Sequence, residues 1–594
     1  MCGISGEIVF GRGRPRLDAV RRMTDALAKR GPDGAGIWTD GRVAFGHRRL
    51  SIIDLTSAGA QPMVDGAAGL AVVFNGCIYN HRELRRELEP HYRFDSASDT
   101  EVVLKAYQRW GEDFVDHLVG MFAIAISDQR SRRVILARDR LGVKPLYLSE
   151  QPDRLRFASS LPALLAGGDV DTDIDDVALH HYLSWHSIVP APRTILRGVR
   201  KLPPATVRVV EEDGRSRDRV YWSPHYGRRP EDAGLSAAEW EERVHDALRT
   251  AVRRRLVADV PVGVLLSGGL DSSLLVALLA ELGHDRTQTF SIGFSGTADQ
   301  RGDEFVYSDA VARAYGTTHE QIRIDPGELA AILPRAVDEM PEPMSTHDVP
   351  AFFLLARSVS EQVKVVQSGQ GADEVFAGYA YHQPAVGRPL AEAAPSFLGN
   401  FADLRHDQLR SLIVPDHTLD QDVSRLVVER ELGRPDAETA LDAVLRFDTH
   451  VLMPDDPVKR IDSMCMAWGV EARVPFLDQD LVELAATCPP ELKASDGGKG
   501  VLKSLGRKIL PREVVDRRKG YFPVPALRQL DGPVLAYVRE VLSSPEARRR
   551  GLLRGGVVDR MLTRPNATMT PTNQNVLWNL TVLESWLQRQ GVAA

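Results

Sequence analysis

Apolar residues in the middle of the chain follow a strand–turn–helix order. The segment 260–266 is mostly apolar and predicts a buried strand, which ends at Ser267-Gly268-Gly269. The following segment 274–282 is apolar and rich in helix formers, as in a buried helix. Segments 289–294 and 308–315 predict the next strand and helix. Because strands alternate with helices, we expect an α/β domain built on a parallel sheet with helices on both faces.

The N-terminal half instead shows short apolar segments separated by polar turns, as at the predicted strand 121–126. Few long helical periods occur there, which favours layered sheets with helices outside. Residues 211–235 are charged, contain Gly and Pro, and are predicted to be a linker. A capping box, Ser236-Ala-Ala-Glu239, then opens a helix. We therefore expect one domain over residues 1–210 and a second over residues 236–594.

The composition is that of a globular protein: 594 residues, 43% hydrophobic and 26% charged. A net charge of −7 argues against a general nucleic-acid binder. No apolar run approaches the roughly 18 residues of a transmembrane helix, and the N-terminus lacks the basic and apolar regions of a signal peptide. The four cysteines, Cys2, Cys77, Cys465 and Cys488, show no zinc-ligand spacing. We expect reduced thiols and a cytoplasmic protein without membrane contact.

The turn Ser267-Gly-Gly-Leu-Asp-Ser-Ser273 has the features of an anion site. Its glycines let backbone N–H groups approach an oxyanion, and the helix N-terminus adds its positive dipole end. Ser272 offers a hydroxyl, and Asp271 is a carboxylate placed where a phosphate-bound Mg²⁺ would need an oxygen ligand. The spacing is neither that of a Walker A loop nor that of a dinucleotide fold. An ordinary strand-to-helix turn is the alternative.

Residues 364–379 repeat this order of strand, glycine turn, acidic residue and helix. Asp373 follows the turn, and together with Asp271 it could hold one or more Mg²⁺ ions; a simple helix N-cap is the alternative. Cations at Lys499 and at Arg518–Lys519 could stabilise a pentavalent phosphorus and a leaving pyrophosphate. The two loops together predict a nucleotide site.

Cys2 directly follows the initiator Met, and its small neighbours favour a buried chain start. Removal of Met would place the thiol beside an α-amine with a pKa near 8, which can act as its base. The alternative is a small hydrophobe at a chain end. Arg49 could hold a carboxylate and Asp99 an ammonium, while Asn75 and the Gly76 N–H could face an oxyanion. Each of these four alone would also fit an ordinary turn or surface pair.

These motifs resemble two known families of domain. The first loop resembles the pyrophosphate (PP) loop of the ATP pyrophosphatases, which cleave ATP between its α and β phosphates. Over about residues 2–210, Cys2 and the polar turns resemble the class II, or N-terminal nucleophile (Ntn), glutamine amidotransferases, which have a layered α/β/β/α glutaminase fold. The resemblance implies that Cys2 releases ammonia from glutamine. It also implies that the glutamine or its oxyanion is held by Arg49, Asn75, Gly76 and Asp99.

From about residue 236 to 530 the chain resembles the synthetase domain of the glutamine-hydrolysing asparagine synthetases. This resemblance implies glutamine, ATP and a carboxylate acceptor as substrates, Mg²⁺ on Asp271 and Asp373, and a transition-state lysine at Lys499. It also implies an ammonia channel between the two sites, and it leaves a homodimer open. The ATP ligands that it implies are Leu265, Ser267, Gly268, Gly269, Asp271, Ser272, Ile292, Ser368 and Gly369.

The chain departs from these families at three places. Cys77 stands where class II amidotransferases often carry Glu, and Gln370 stands where asparagine synthetases usually carry Glu. A neutral amide cannot act as a general base. The stretch around His347 and Asp348 also differs, so these two residues and Gln370 are candidates for the acceptor site.

The departures resemble the N-acetylglutaminylglutamine amidotransferases, which amidate the carboxyl end of an acetylated dipeptide to make a compatible solute. This acceptor ranks first and aspartate is the alternative. A β-lactam synthetase would not need Cys2. A catalytically silent binding protein would require losses at Cys2, Asp271 or Asp373, and all three are present.

Overall fold

A computed structural model describes residues 2–284, 286–294, 304–517 and 524–593. Arg518 and Lys519, predicted above as cations, lie outside these ranges. All four cysteines are buried and none is disulfide-bonded. Within the described ranges, no helix is both long and apolar enough to cross a membrane.

Two antiparallel sheets of six strands each lie face to face in the N-terminal part of the described chain. The first sheet has the spatial order Arg200–Lys201, Tyr147–Gln151, Arg154–Ala158, Gly3–Val9, Val43–Arg49 and Gly34–Thr39. The second has the order Ser216–Val220, Thr206–Val210, Arg133–Arg138, Gly120–Asp128, Leu70–Ile78 and Met63–Asp65.

Side chains that alternate along these strands fill two layers of core. Ile4 and Phe45 of the first sheet meet Val73 of the second between the sheets. On the outer face of the second sheet, Phe74 packs instead against Val103 of a covering helix. The α-helices of this half are Leu17–Ala26, His81–Leu88, Asp99–Trp110, Phe114–His117, Leu161–Gly167 and Asp176–Ser184. The predicted α/β/β/α layering is confirmed, since helices cover the outer face of each sheet.

The second half is built on a parallel sheet, as predicted. Its spatial order is Thr318–Ile324, Gln288–Phe294, Val262–Leu265, Val365–Gln367 and Glu471–Arg473, and all the pairs are parallel. Val264 packs into the core on one face and Leu265 into the core on the other, because successive side chains of a strand point to opposite faces. The predicted capping box is also present, since the Ser236 Oγ accepts from the Glu239 N–H and Glu239 caps the Ser236 N–H.

Helices cover both faces of the parallel sheet and continue to the C-terminus. Leu270–Glu281 lies on one face and Asp348–Ser360 on the other. The remaining α-helices are Ala237–Arg254, Phe305–Tyr315, Pro326–Asp338, Ala372–Val375, Ala393–Phe401, His406–Leu412, Val423–Leu432, Ala440–Phe447, Pro457–Met466, Gln479–Thr487, Pro490–Ala494, Gly500–Ile509, Arg512–Val515, Pro525–Arg528, Gly532–Leu542, Pro545–Arg550, Val557–Thr563 and Val576–Arg589.

The strand Ser216–Val220 lies inside the segment 211–235 that was predicted to be linker. It pairs with the strand Thr206–Val210, so the N-terminal sheet extends past the expected boundary at residue 210. Its sequence, Ser-Arg-Asp-Arg-Val, is polar because it is an exposed edge strand, and for that reason it lacked a strand signal.

Buried ion pairs join the two halves. Asp462 of the second half accepts from Lys144 at 2.9 Å and from Arg30 at 2.9 Å. Lys201 of the first half contacts Asp455 at 2.6 Å and Glu342 at 3.0 Å. Buried charges are costly unless each is closely paired with an opposite charge. Separating the two halves would break these pairs, so the contacts hold the halves in one arrangement.

Candidate active sites

Cys2 opens the strand Gly3–Val9 and is nearly enclosed, at 7% exposed. Its backbone N–H donates to the Asn75 Oδ1 at 3.0 Å, which joins the chain start to the facing strand Leu70–Ile78. The Asn75 Nδ2 is buried and has no hydrogen-bond partner among the described residues. A buried donor without an acceptor is costly unless a ligand accepts from it. Asn75 is therefore placed to hold the Cys2 nitrogen with one atom and an oxyanion with the other.

Of the residues predicted for the glutamine site, Cys2, Arg49, Gly76 and Asp99 line one small cavity, whereas Asn75 contacts Cys2 but is not among the lining residues. Arg49 is fixed by hydrogen bonds to the carbonyls of Thr56, at 2.6 Å, and Asp54. Asp99 begins the helix Asp99–Trp110 and accepts from the Ile78 N–H at 3.0 Å. Burial raises the pKa of Asp99 and also that of the Cys2 thiol. The cavity thus brings a cation, a carboxyl group and a thiol together.

Two residues of the second half, Glu471 and Arg473, line the same cavity. They lie on the edge strand Glu471–Arg473 of the parallel sheet, and the Arg473 Nε donates to the Glu471 Oε1 at 2.5 Å. The Arg473 Nη2 also lies 3.6 Å from the Cys77 Sγ. Sequence reasoning gave these two no role; the signal in the sequence is a pair of opposite charges in an otherwise apolar segment.

The loop after the strand Val262–Leu265 is held in place by its own serines. The Ser267 N–H donates to the Ser272 Oγ at 3.2 Å, and the two hydroxyl oxygens are 3.1 Å apart. The Gly269 N–H donates to the Ser267 Oγ at 3.3 Å, and Gly268 has a φ of +72°. Leu265 and Ile292 lie near the carboxyl ends of neighbouring parallel strands, where ligands of such sheets bind.

The two glycine loops lie against each other. A Cβ on Gly369 would come within 2.9 Å of the Asp271 Cβ and 3.0 Å of the Ser272 nitrogen, so only glycine fits there. Ser368, beside it, donates its backbone N–H to the Arg473 carbonyl at 2.8 Å. The predicted nucleotide residues of the two loops are therefore neighbours in space.

Lys499 joins Asp271 of the first loop to Asp373 of the second. Its Nζ lies 2.6 Å from the Asp271 Oδ2 and 2.8 Å from the Asp373 Oδ1. Burial opposes the charge of this amine, but the two carboxylates more than compensate and raise the pKa of Lys499 above its ordinary value. Lys499 has left-handed backbone, with a φ of +59°, just before the helix Gly500–Ile509.

Asp271 and Asp373 fit the needs of Mg²⁺. The Lys499 ammonium brings the two carboxylates together, and Mg²⁺ is usually held by one or two carboxylates together with substrate phosphates. In the described ranges, no cluster of three or more His, Cys, Asp or Glu side chains is arranged to bind a metal. The pair would therefore hold the ion jointly with a nucleotide.

A larger cavity has a volume of about 500 Å³. Its lining includes Glu374, which directly follows Asp373, and Tyr379. Gly378 lies between this cavity and Lys499, because a Cβ on it would come within 2.3 Å of the Lys499 Cε. We call this space the acceptor cavity. Its other walls include Asp448, Asp456, Arg460, Arg528, Thr572 and Gln574.

Only two of the three acceptor-site candidates predicted from the sequence line this cavity. His347 and Asp348 line the acceptor cavity, whereas Gln370 is not among its lining residues, so its role stays a prediction. Glu374, Arg460 and Gln574 were missed. Glu374 is buried near Asp448, and this raises its pKa. Arg460 contacts Asp456 at 2.5 Å and Asp348 at 3.1 Å. Nothing local marks Gln574, which reaches the cavity only through the fold.

The arrangement provides two reactive centres. A buried thiol near a hydrogen-bond donor for an oxyanion can accept an acyl group from an amide and release the amine of that amide. Two glycine loops with a lysine and two carboxylates can bind a nucleoside triphosphate and stabilise charge on its phosphates. The acceptor cavity next to Lys499 can hold the molecule that reacts with the nucleotide.

Comparison with known proteins gives two family matches. The family model described as asparagine synthase matches residues 243–588, and that described as glutamine amidotransferase domain matches residues 1–222. Asparagine synthetase [glutamine-hydrolyzing] 3 of Bacillus subtilis (strain 168) is 31% identical, over 95% of this chain and 93% of its own length.

Two further relatives extend the similarity. Asparagine synthetase [glutamine-hydrolyzing] 1 of the same strain is 30% identical, over 92% of this chain and 90% of its own length. Asparagine synthetase B [glutamine-hydrolyzing] of Escherichia coli (strain K12) is 29% identical, over 86% and 81%. The similarity thus extends over both halves of the chain.

Proposed function

The chain belongs to the asparagine synthetase family, and from this membership we propose the course of its reaction and its acceptor. It is a glutamine-dependent, ATP-using amide ligase. In the proposed course, the first centre takes ammonia from glutamine and the second joins AMP to an acceptor carboxylate. Ammonia then replaces AMP to give a carboxamide. The cytoplasm, which supplies both ATP and glutamine, stays its predicted location.

In the glutaminase step the Cys2 sulfur attacks the side-chain amide carbon of glutamine. The backbone nitrogen of Cys2 is bonded to the Asn75 Oδ1, and removal of Met1 would convert it into an α-amine. This amine takes the proton of the thiol and passes it to the leaving ammonia. The buried Asn75 Nδ2 donates to the oxyanion of the tetrahedral intermediate. Water then hydrolyses the thioester to glutamate. Arg49 and Asp99 bind the carboxylate and the ammonium of the glutamine.

In the synthetase step an acceptor carboxylate oxygen attacks the α-phosphorus of ATP, and pyrophosphate leaves. Lys499, which is held between the two loops, would stabilise the charge that develops on the phosphates, and the two glycine turns with the helix N-termini behind them would bind the phosphate oxygens. Mg²⁺ bound by Asp271 and Asp373 would neutralise part of the pyrophosphate charge. Ammonia then attacks the acyl carbon, and AMP leaves as the carboxamide forms.

We propose N-acetylglutaminylglutamine as the acceptor, and the size of the acceptor cavity is the observation that carries this choice. Its volume of about 500 Å³ falls in the roughly 300–1,000 Å³ range of pockets that enclose drug-sized ligands. A single small amino acid would fill only part of it. An acetylated dipeptide could place its terminal carboxylate near Tyr379 and Lys499 and extend toward His347 and Gln574.

Aspartate is the second candidate, and the relatives favour it. The similar proteins of Bacillus subtilis and Escherichia coli carry the name asparagine synthetase. The charges of Arg460, Asp348 and Asp456 on the cavity wall could also bind the two ends of an amino acid.

AMP formation with each acceptor tests the choice directly. Purified protein is given ATP, Mg²⁺ and either glutamine or ammonium, with aspartate, N-acetylglutamine or N-acetylglutaminylglutamine as acceptor. We expect the dipeptide to drive release of AMP and pyrophosphate in equal amounts and aspartate to drive little. Turnover with aspartate that equals or exceeds that with the dipeptide would reverse the order of the two candidates.

A further inference from the structure

Two buried polar atoms of the acceptor cavity lack partners in the described part of the chain. They are the His347 Nε2 and the Gln574 Oε1, and both residues line the cavity. Buried polar groups in native proteins nearly always have a hydrogen-bond partner, and exceptions need an explanation. A ligand that supplies a donor to Gln574 and a partner to His347 would explain both.

The segment that carries Gln574 is held firmly in position. The Thr572 Oγ1 donates to the Asp403 Oδ1 at 2.5 Å, and the Gln574 N–H donates to the Thr570 Oγ1 at 3.0 Å. Asn575 then caps the helix Val576–Arg589 through the Leu577 N–H at 3.0 Å. A group held in this way loses little conformational freedom when it binds a ligand.

The same C-terminal helix also fixes the His347 side of the cavity. The Trp578 Nε1 donates to the Ser345 carbonyl at 2.8 Å, two residues before His347. One helix therefore connects the segments that carry Gln574 and His347, although the two residues are far apart in the sequence.

His347 and Gln574 are both neutral hydrogen-bonding groups. Burial, with Arg528 nearby, lowers the pKa of His347 to about 3, so its imidazole is uncharged at neutral pH. The Gln574 amide has no charge at any pH. The charged groups next to His347 are already engaged, since Arg460 contacts Asp348 and Asp456 and donates to the Thr346 hydroxyl.

Taking the proposed function as its basis, we propose that His347 and Gln574 form a subsite for the amide-bearing end of the acceptor. The Gln574 Oε1 accepts a hydrogen bond from an acceptor amide N–H, and His347 bonds a neighbouring amide group through its Nε2. The subsite lies beyond the carboxylate that becomes adenylated, and it selects acylated, amide-containing acids over free amino acids. The C-terminal segment 570–575 is thus part of the specificity site.

Substitution of Gln574 tests the subsite. Gln574→Met keeps the length of the side chain and removes its carbonyl, and Gln574→Ala removes the whole amide. We expect either change to raise the KM for N-acetylglutaminylglutamine about 2- to 12-fold, the worth of one hydrogen bond. The KM for ATP and the rate of glutamine hydrolysis should not change. Gln588→Ala is the matched control, since Gln588 lies on the helix that follows Gln574 and bonds Glu584 and Ser544 instead of lining the cavity.

N-acetylglutamine separates recognition from a general loss of activity. It lacks the far residue of the dipeptide, so its KM should shift less than that of the dipeptide in the same variants. An unchanged KM for the dipeptide in Gln574→Met, or an equal shift for both acceptors, would overturn the subsite while leaving the proposed function intact. If the unsubstituted protein uses aspartate and not the dipeptide, the proposed function fails and the subsite fails with it. Gln574→Met replaces Gln574→Ala should the latter not fold.

Discussion

Replacement of Lys499 by Met should separate the two reactions of this protein and lower its stability. The Nζ contacts Asp271 at 2.6 Å and Asp373 at 2.8 Å, and each attraction is worth about 6 kcal/mol at an effective dielectric constant of about 20. Removal of the ammonium from water offsets much of this gain. The side chains of Asp271 and Asp373 are 20% and 18% exposed, so water relieves part of their repulsion once the ammonium is gone.

Breaking a buried pair by removing one partner costs about 3–5 kcal/mol, and the partial exposure of the aspartates favours the lower end. We therefore expect Lys499→Met to reduce the free energy of unfolding by about 3 kcal/mol in urea denaturation. Lys364→Met is the matched control. The side chains of Lys364 and of its partner Asp33 are 41% and 27% exposed, and pairs that are open to water on both sides are worth about 0–1 kcal/mol.

The same variant should lose AMP formation by about 10²–10³-fold, the effect of removing one preorganised transition-state contact, while glutamine hydrolysis at Cys2 continues. Mg²⁺ without nucleotide should then stabilise Lys499→Met more than the unsubstituted protein. At 100 times its Kd the ion would contribute about 2.7 kcal/mol. Unchanged unfolding in Lys499→Met, or a parallel loss of glutamine hydrolysis, would refute the role of Lys499 as the link between the two loops.

Two further predictions concern other parts of the molecule. Asn75→Ala should lower glutamine-supported amidation by about 10²–10³-fold and leave ammonium-supported amidation unchanged. Cys2→Ala is the control that lacks all glutamine use. A loss of both activities in Asn75→Ala would contradict an oxyanion role. His450 is half-buried against the rings of Trp222 and Tyr226. Desolvation lowers its pKa to about 3, below that of the unfolded chain near 6.5, so its contribution to stability is present above pH 6.5 and is lost as the pH falls toward 3. From pH 7 to pH 5 the free energy of unfolding should therefore fall by about 2 kcal/mol because of this residue. If the free energy of unfolding of His450→Gln depends on pH as steeply as that of the unsubstituted protein, His450 does not have this role.

Local patterns in the sequence predicted the parts of each site that lie on one continuous segment. The order of strand, glycine turn and helix identified Ser267 to Ser272, and the same order identified Ser368 to Asp373, because such loops are built by adjacent residues. Cys2 was marked by its position next to the initiator Met. Lys499 was predicted as a cation for the phosphates, but its contact with both aspartates was not, since that contact depends on three distant segments.

The residues that were missed contribute to a site built mostly by another part of the chain. Arg473 belongs to the parallel sheet but lines the cavity of Cys2. Gln574 reaches the acceptor cavity because Thr572 is tied to Asp403 and Asn575 caps the last helix. Side chains of this kind look like ordinary surface polar residues in a sequence, and only tertiary packing shows that their atoms are buried.

The thiol at position 77 lies beside the edge strand Glu471–Arg473. Cys77 lies among Arg473, Glu471 and Asp99, and burial raises the pKa of its thiol, so it stays neutral. Arg473 already pairs with Glu471 at 2.5 Å. A Glu at position 77, as the related amidotransferases often carry, would add a further carboxylate beside Asp99 and Glu471 with one arginine to balance them, and buried like charges are costly.

The neutral thiol avoids that cost and still contacts Arg473 at 3.6 Å. The Arg473 carbonyl in turn receives the Ser368 N–H at 2.8 Å, and Gly369 packs against Asp271. One strand therefore lines the cavity of Cys2 with its side chains and contacts the second glycine loop with its backbone. A displacement of this strand at either site must be accommodated at the other, because packed elements transmit such shifts.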